Sequence, residues 1–165
     1  MDQRRHDYYL SVAESLAECQ LVEFELKYYI ANALELSAKN LMAILPFRMT
    51  AVELQGARKN YPRATLGRLT KYFARLSDNP ALVISLREFS KERNYLAHAA
   101  LATCIDPEGG PDHHMMEELS GRVTATKVEA RRLVEEIHET SLKWIAHLYF
   151  DNLDEPVTPG ASTPE

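Results

Sequence analysis

The chain has 165 residues, 45% hydrophobic and 26% charged, with a net charge of -5. A length of this order suits one domain with a proper core, and the composition is that of a globular protein. The acid excess argues against a general nucleic-acid binder, and no apolar run approaches the ~20 residues that a bilayer-spanning helix needs.

The opening run Met1-Asp-Gln-Arg-Arg-His-Asp carries no signal-peptide core. Cys19 and Cys104 are the two cysteines and stand far apart in sequence. Two isolated thiols fit a reducing cytoplasm better than a disulfide scaffold. A cytoplasmic protein with no membrane association is therefore expected. The charge is unevenly spread: the stretch from Arg48 to Arg93 has ten basic residues against four acidic ones, a net of +6, which leaves -11 on the remainder. Such an asymmetry makes either one cationic face suited to phosphate or the solvated faces of ordinary helices.

From Asp7 to Lys39 there is no Gly or Pro. One apolar stripe at helical spacing is Tyr9, Val12, Leu16, Cys19, Leu26, Ile30 and Ala33. A second is Leu10, Ala13, Ala17, Leu21, Phe24, Tyr28 and Ala31. Two stripes make a wide apolar arc, as on a helix covered by its own bundle on one side and by another subunit on the other.

Pro46, Gly56, Asn60 and Pro62 interrupt the pattern, with Ala51 to Ala57 as a short helical turn between them. A second helix is predicted from Ala64 to Leu76 on the face of Leu66, Leu69, Phe73 and Leu76. Ser77-Asp-Asn-Pro reads as a stop and a restart, with Asn79 as cap and Pro80 at the first helical position. The third helix is expected from Pro80 to Cys104, with Leu82, Leu86, Phe89, Arg93, Leu96, Ala100 and Thr103 in register. Asp106-Pro-Glu-Gly-Gly-Pro-Asp is a loop, and His113 to Gly121 is ambiguous. The fourth helix is expected from Thr126 to Leu153 through Ala130, Val134, Ile137, Ser141, Trp144 and Leu148. Residues 154–165 read as a disordered tail after a helical domain over residues 1–153. The expectation is an all-α fold, an antiparallel four-helix bundle with a short extra helical segment.

Arg93 occupies an apolar stripe position between Phe89 and Leu96. A guanidinium there must reach water, pair with an acid or line a cavity, because burying it unpaired is very costly. Glu23, which interrupts the stripe of helix one, is a natural partner. Five residues on comes His98, which alone reads equally well as a satisfied interior histidine. Asn94 stands four before His98 and can hydrogen-bond along the helix.

The run Glu92-Arg-Asn-Tyr-Leu-Ala-His98 resembles the R-x4–6-H signature of HEPN domains, with Asn94 directly after the arginine. The upstream Thr65-Leu-Gly-Arg-Leu adds to a resemblance to small bacterial bundles of this kind, covering about Asp7 to Leu153. Members of the family commonly dimerise so that two motifs form one composite site. Many are metal-independent endoribonucleases, and others are inert modules for dimerisation or ligand binding. By position the resemblance implies that Arg93 and His98 are the site and that Asn94 supports it. It implies no metal and no cofactor.

These residue types suit RNA cleavage by the neighbouring 2′-hydroxyl. His98 would take the hydroxyl proton or protonate the leaving 5′-oxygen. Arg93 would hold the phosphate and the charge that builds on it. Lys91, Arg87, Arg68 and Lys71 are the candidate substrate-binding cations of the +6 segment. Five residues turn a straight helix by ~500°, which leaves the Arg93 and His98 side chains ~140° apart. A kink, the reach of arginine or a two-fold partner must close that gap. In HEPN toxins paired with a nucleotidyltransferase antitoxin, a tyrosine often follows the histidine by two positions; here Ala100 stands there, which puts that pairing in doubt.

His113-His114 with Asp112 is a weak metal candidate without a supporting spacing. Tyr8-Tyr9, Tyr28-Tyr29 and Trp144 read as core and interface, and Cys19 as structural. The leading expectation is a HEPN-like homodimer acting as an endoribonuclease of toxin or defence type, with RNA and an antitoxin or regulatory protein as partners. The alternative is a catalytically silent module that dimerises and binds a protein or small anionic ligand.

Overall fold

A computed structural model describes residues 2–38 and 49–149. Among the described residues the protein is all-helical, as expected, with five α-helices packed together and no strand. They are α1 (Gln3–Ala38), α2 (Ala51–Asn60), α3 (Leu66–Leu76), α4 (Pro80–His98) and α5 (His113–Tyr149), with short 3-10 turns at Tyr61–Arg63 and Ala102–Cys104. No helix among them is long and apolar enough to cross a membrane. The expected tail and the end of the fourth predicted helix lie outside the described residues, as do the side chains of Trp144 and Leu148.

Local chemistry sets most of the boundaries. At α2 the Thr50 hydroxyl accepts from the Glu53 amide at 3.3 Å, and the Glu53 carboxylate accepts from the Thr50 amide at 2.9 Å. This capping box satisfies two amides that the first turn leaves unpaired. At α4 the Asn79 side chain accepts from the Leu82 amide at 3.0 Å, with Pro80 next to it, as its sequence predicts.

The short turn expected over residues 51–57 is a full helix that runs through Gly56 to Asn60, and the helix expected from Ala64 begins at Leu66. Two further boundaries differ more. The predicted third helix ran to Cys104, but α4 stops at His98 and Ala99 leaves helical geometry. The Ala100 carbonyl is thereby free to accept from the buried Tyr8 hydroxyl at 3.1 Å. The last predicted helix was to begin at Thr126, but α5 begins at His113, where the Asp112 carboxylate accepts from the Met115 amide at 2.9 Å. Between them, Asp106 accepts from the amides of Glu108 at 3.0 Å and Gly110 at 2.6 Å and folds the loop onto itself. Gly109 takes a φ of +84° in that loop, which favours glycine.

Side-chain pairs fix the directions of the long helices. Along α1 and α5, Asp2 meets His113, Glu14 meets Lys127, Glu18 meets Arg131 and Glu25 meets His138. Partner numbers rise together, so these two helices run parallel. Between α1 and α4, Tyr8 meets Ala100, just past the end of α4, while Glu23 meets Arg93 two turns earlier, so that pair is antiparallel. The first and last helices of the expected antiparallel bundle would run in opposite directions; here α1 and α5 share one, and their contact is the most extensive among the described elements.

The core lies between α1, α3, α4 and α5. Val12, Cys19, Leu26, Ile30 and Ala33 of the first predicted stripe are buried with Leu66, Leu69, Phe73 and Leu76 of α3, Leu82, Leu86, Phe89 and Leu96 of α4, and Ala130, Leu133 and Ile137 of α5. Tyr29 packs on Phe73 with ring centres 4.6 Å apart and donates to the Leu76 carbonyl at 2.9 Å. The second stripe of α1 is turned away from this core: Leu10 is 50% exposed, Leu21 51%, Phe24 63% and Tyr28 40%. Ala13 and Ala17 are exposed along with them.

Candidate functional site

The candidate site residues stand in the last turns of α4, where each successive side chain meets a different neighbour. Leu96 is buried in the core. Glu92 and Tyr95 face α5: Arg122 donates to both Glu92 oxygens, at 2.7 and 3.1 Å, and its guanidinium sits 3.6 Å from the centre of the Tyr95 ring. The Glu92 carboxylate is the first cause that holds the Arg122 proton more tightly than usual. Sequence reading missed this stack, because Arg122 sits on another helix at no periodic spacing from the motif.

Arg93 faces α1. Its Nη2 stands 2.9 Å from Oε1 of Glu23, with side chains 30% and 16% exposed. Glu23 is the acid that its stripe position suggested as a partner. The contact is an ion pair out of hydrogen-bond alignment. One turn before Glu23 lies Cys19, a buried free thiol. Burial pushes that thiol up to about 11, against a smaller opposing pull from the Arg93 charge. At neutral pH the thiol is un-ionised and inert as a nucleophile, in keeping with a structural role.

Asn94 and His98 point outward and are exposed, like Arg87 and Lys91. These four recur at helical spacing and form one row along the solvent face of α4. Lys91 is held in the row by Glu88, at 2.8 Å. Arg87 also lines a groove of about 420 Å³ at the α3–α4 junction, beside Ser77 and Asp78. Of the predicted catalytic residues, the structure thus brings His98 and Asn94 together and directs Arg93 elsewhere. The helical offset between Arg93 and His98 is not closed by a kink.

Arg68 and Lys71 lie on α3 in a different groove, of about 340 Å³, shared with Tyr72, Arg75, Glu53 and Met49. The Arg68 Nε donates to the Tyr72 hydroxyl at 3.0 Å, and Arg75 pairs with Glu53. The Glu53 carboxyl is held below the usual range, first by the Thr50 amide of its capping box. Two of the four predicted substrate cations therefore accompany His98, and two occupy their own cleft.

His113 pairs with Asp2 at 3.0 Å, Asp112 caps α5, and His114 is exposed. Among the described residues no group of three His, Cys, Asp or Glu side chains is placed to hold a metal.

No family model, curated protein or solved structure matches this chain.

Proposed function

We propose that the protein is a HEPN-like module of the catalytically silent kind, working in the cytoplasm, that binds an anionic partner along the exposed face of α4. In this reading α1, α3, α4 and α5 are the family's four-helix core and α2 is the extra segment. One observation carries it: the motif arginine is engaged by Glu23 inside its own chain and points away from the motif histidine. A phosphate held by Arg93 would have to displace a carboxylate that is mostly buried, and that carboxylate would then be left unpaired at considerable cost. Arg87, and Lys91 in exchange for its exposed pair with Glu88, meet an anion there together with the hydrogen-bonding groups of Asn94 and His98.

A second reading, the metal-independent endoribonuclease of toxin or defence type, is favoured by the accessibility of His98 beside Asn94 and Lys91. It requires a second copy to supply the phosphate-holding arginine, and RNA and an antitoxin as partners. Incubation of the purified full chain with labelled single-stranded RNA in EDTA separates the readings. The silent module leaves the RNA intact in wild type, Arg93→Ala and His98→Ala alike, and binding of the RNA weakens in Lys91→Ala and Arg87→Ala. EDTA-resistant cleavage that is lost in both Arg93→Ala and His98→Ala overturns it in favour of the enzyme.

A further inference from the structure

The outer face of α1 is apolar along most of its length. Leu10, Ala13 and Ala17 are followed eleven residues later by Leu21, Phe24 and Tyr28. An eleven-residue period is about 3.67 residues per turn, close to that of a straight helix, so all six side chains stay on one line. From Leu10 to Tyr28 the line spans about 27 Å at 1.5 Å per residue. It lies opposite the core face of the same helix, and among the described residues no other element covers it. With the width of a helix it reaches the scale of the largest apolar patches found on soluble monomers, which mark interaction sites.

The order of sizes along the line selects its occupant. The small residues, Ala13 and Ala17, lie in the N-terminal half, and the large ones, Leu21, Phe24 and Tyr28, in the C-terminal half. We infer that this face pairs with the same face of a second copy, antiparallel, about a two-fold axis that crosses α1 near position 19. In that register Ala17 receives the partner's Leu21, Ala13 receives the partner's Phe24 and Leu10 meets the partner's Tyr28. Every large side chain then finds a small or medium one, and the helices close to packing distance. A parallel pairing would set Ala on Ala and Phe on Phe, leaving gaps at one end and crowding at the other. The interface is isologous, as a closed two-fold dimer requires.

Charge agrees with the same arrangement. The edge of α1 beside the line carries Glu14 and Glu18, which pair with Lys127 at 2.5 Å and Arg131 at 2.7 Å from α5. An antiparallel two-fold brings each such edge against its own copy. Both signs are present on each, so no like-charge wall forms. The Arg131 side chain, 59% exposed, comes level with the partner's Glu18. The inference rests on α1 and its edge and does not depend on whether the α4 motif cleaves RNA.

The test is light scattering and cysteine cross-linking on the full chain at tens of micromolar. Wild type is expected at twice the 18.8 kDa chain mass. Phe24→Glu and Leu21→Glu are expected at one chain mass with unchanged far-UV circular dichroism, since both positions are exposed within the protomer. The double variant Ala17→Cys/Leu21→Cys is expected to form an intermolecular disulfide under mild oxidant, and Ala17→Cys alone is not. A monomeric wild type, a Phe24→Glu protein that stays dimeric, or cross-linking through Ala17→Cys alone overturns the proposal. RNA cleavage is read separately, so the nuclease reading and the dimer stand or fall on different data.

Discussion

Helices α1 and α4 lie against each other and spend their outer faces differently. On α4 the face away from the core is polar after Ile84: Arg87, Lys91, Asn94 and His98, with Glu88 beside them, sit where water or an anion meets them. On α1 the face away from the core carries Leu10, Leu21, Phe24 and Tyr28, all at least 40% exposed. A helix that ends at water should show one apolar stripe, as α4 does, and a helix with two opposed stripes has a second surface to bury. The contrast separates a face suited to a charged ligand from one suited to protein.

The contrast is sharpest in phenylalanines. Phe73 is fully buried against Tyr29, and Phe24 is 63% exposed. Phe73→Ala is expected to cost about 3–5 kcal/mol, read by urea denaturation. Phe24→Ala measured below the dissociation concentration should stay within about 0.5 kcal/mol of wild type. A large loss at Phe24 in the dissociated state would mean that the outer face of α1 is already packed within the protomer.

The next largest effect lies where the two helices meet. Arg93→Leu leaves Glu23 mostly buried without its partner and is expected to cost about 1–3 kcal/mol. Adding Glu23→Leu should recover much of that loss, since an apolar pair of similar volume removes the stranded charge. If Arg93→Leu is neutral and the double variant is worse, the guanidinium is not held by Glu23.

A pH effect follows from Cys19. Its thiol has an ordinary value of 9.0 and is pushed by burial to about 11. Folding therefore favours the protonated form. That contribution is fully present below pH 9 and is lost as pH rises toward 11, where the unfolded chain ionises first. Tyr8 and Tyr29, both raised by burial, add the same sign. Thermal melts should fall across this window, and Cys19→Ala should flatten the fall; an equal fall in Cys19→Ala removes the assignment.

The smallest effect is expected on the outer face of α4. His98→Ala and Lys91→Ala should each change stability by less than about 0.5 kcal/mol, because neither side chain is used by the core. A larger cost at His98 would place it among structural residues and weaken the anion-binding face.

The legibility of the chain follows the range of each interaction. Helical stripes, the Asn79 cap and the core face of α3 depend on neighbours within a turn or two, and the sequence reading placed them well. Helix ends were harder. The stop at His98 coincides with a hydrogen bond from Tyr8, and the early start of α5 uses a cap inside a run that looked like loop. The motif residues were legible as types but not as directions. Arg93 turned toward Glu23, Tyr95 lies under Arg122, and Lys71 shares a groove with Arg68 apart from α4, because each outcome depends on what another helix presents.

From its own order of residues this protein determines that it is helical, where the apolar faces lie, and that α1 has two of them. Periodicity is a local property, written at 3.6 residues per turn. Only the tertiary structure decided that α1 and α5 run parallel, that Glu23 is the acid on Arg93, and that His98 stands with Arg87, Lys91 and Asn94. Those are meetings between segments far apart in the chain, settled by which surfaces fit and which charges must be neutralised when water is excluded.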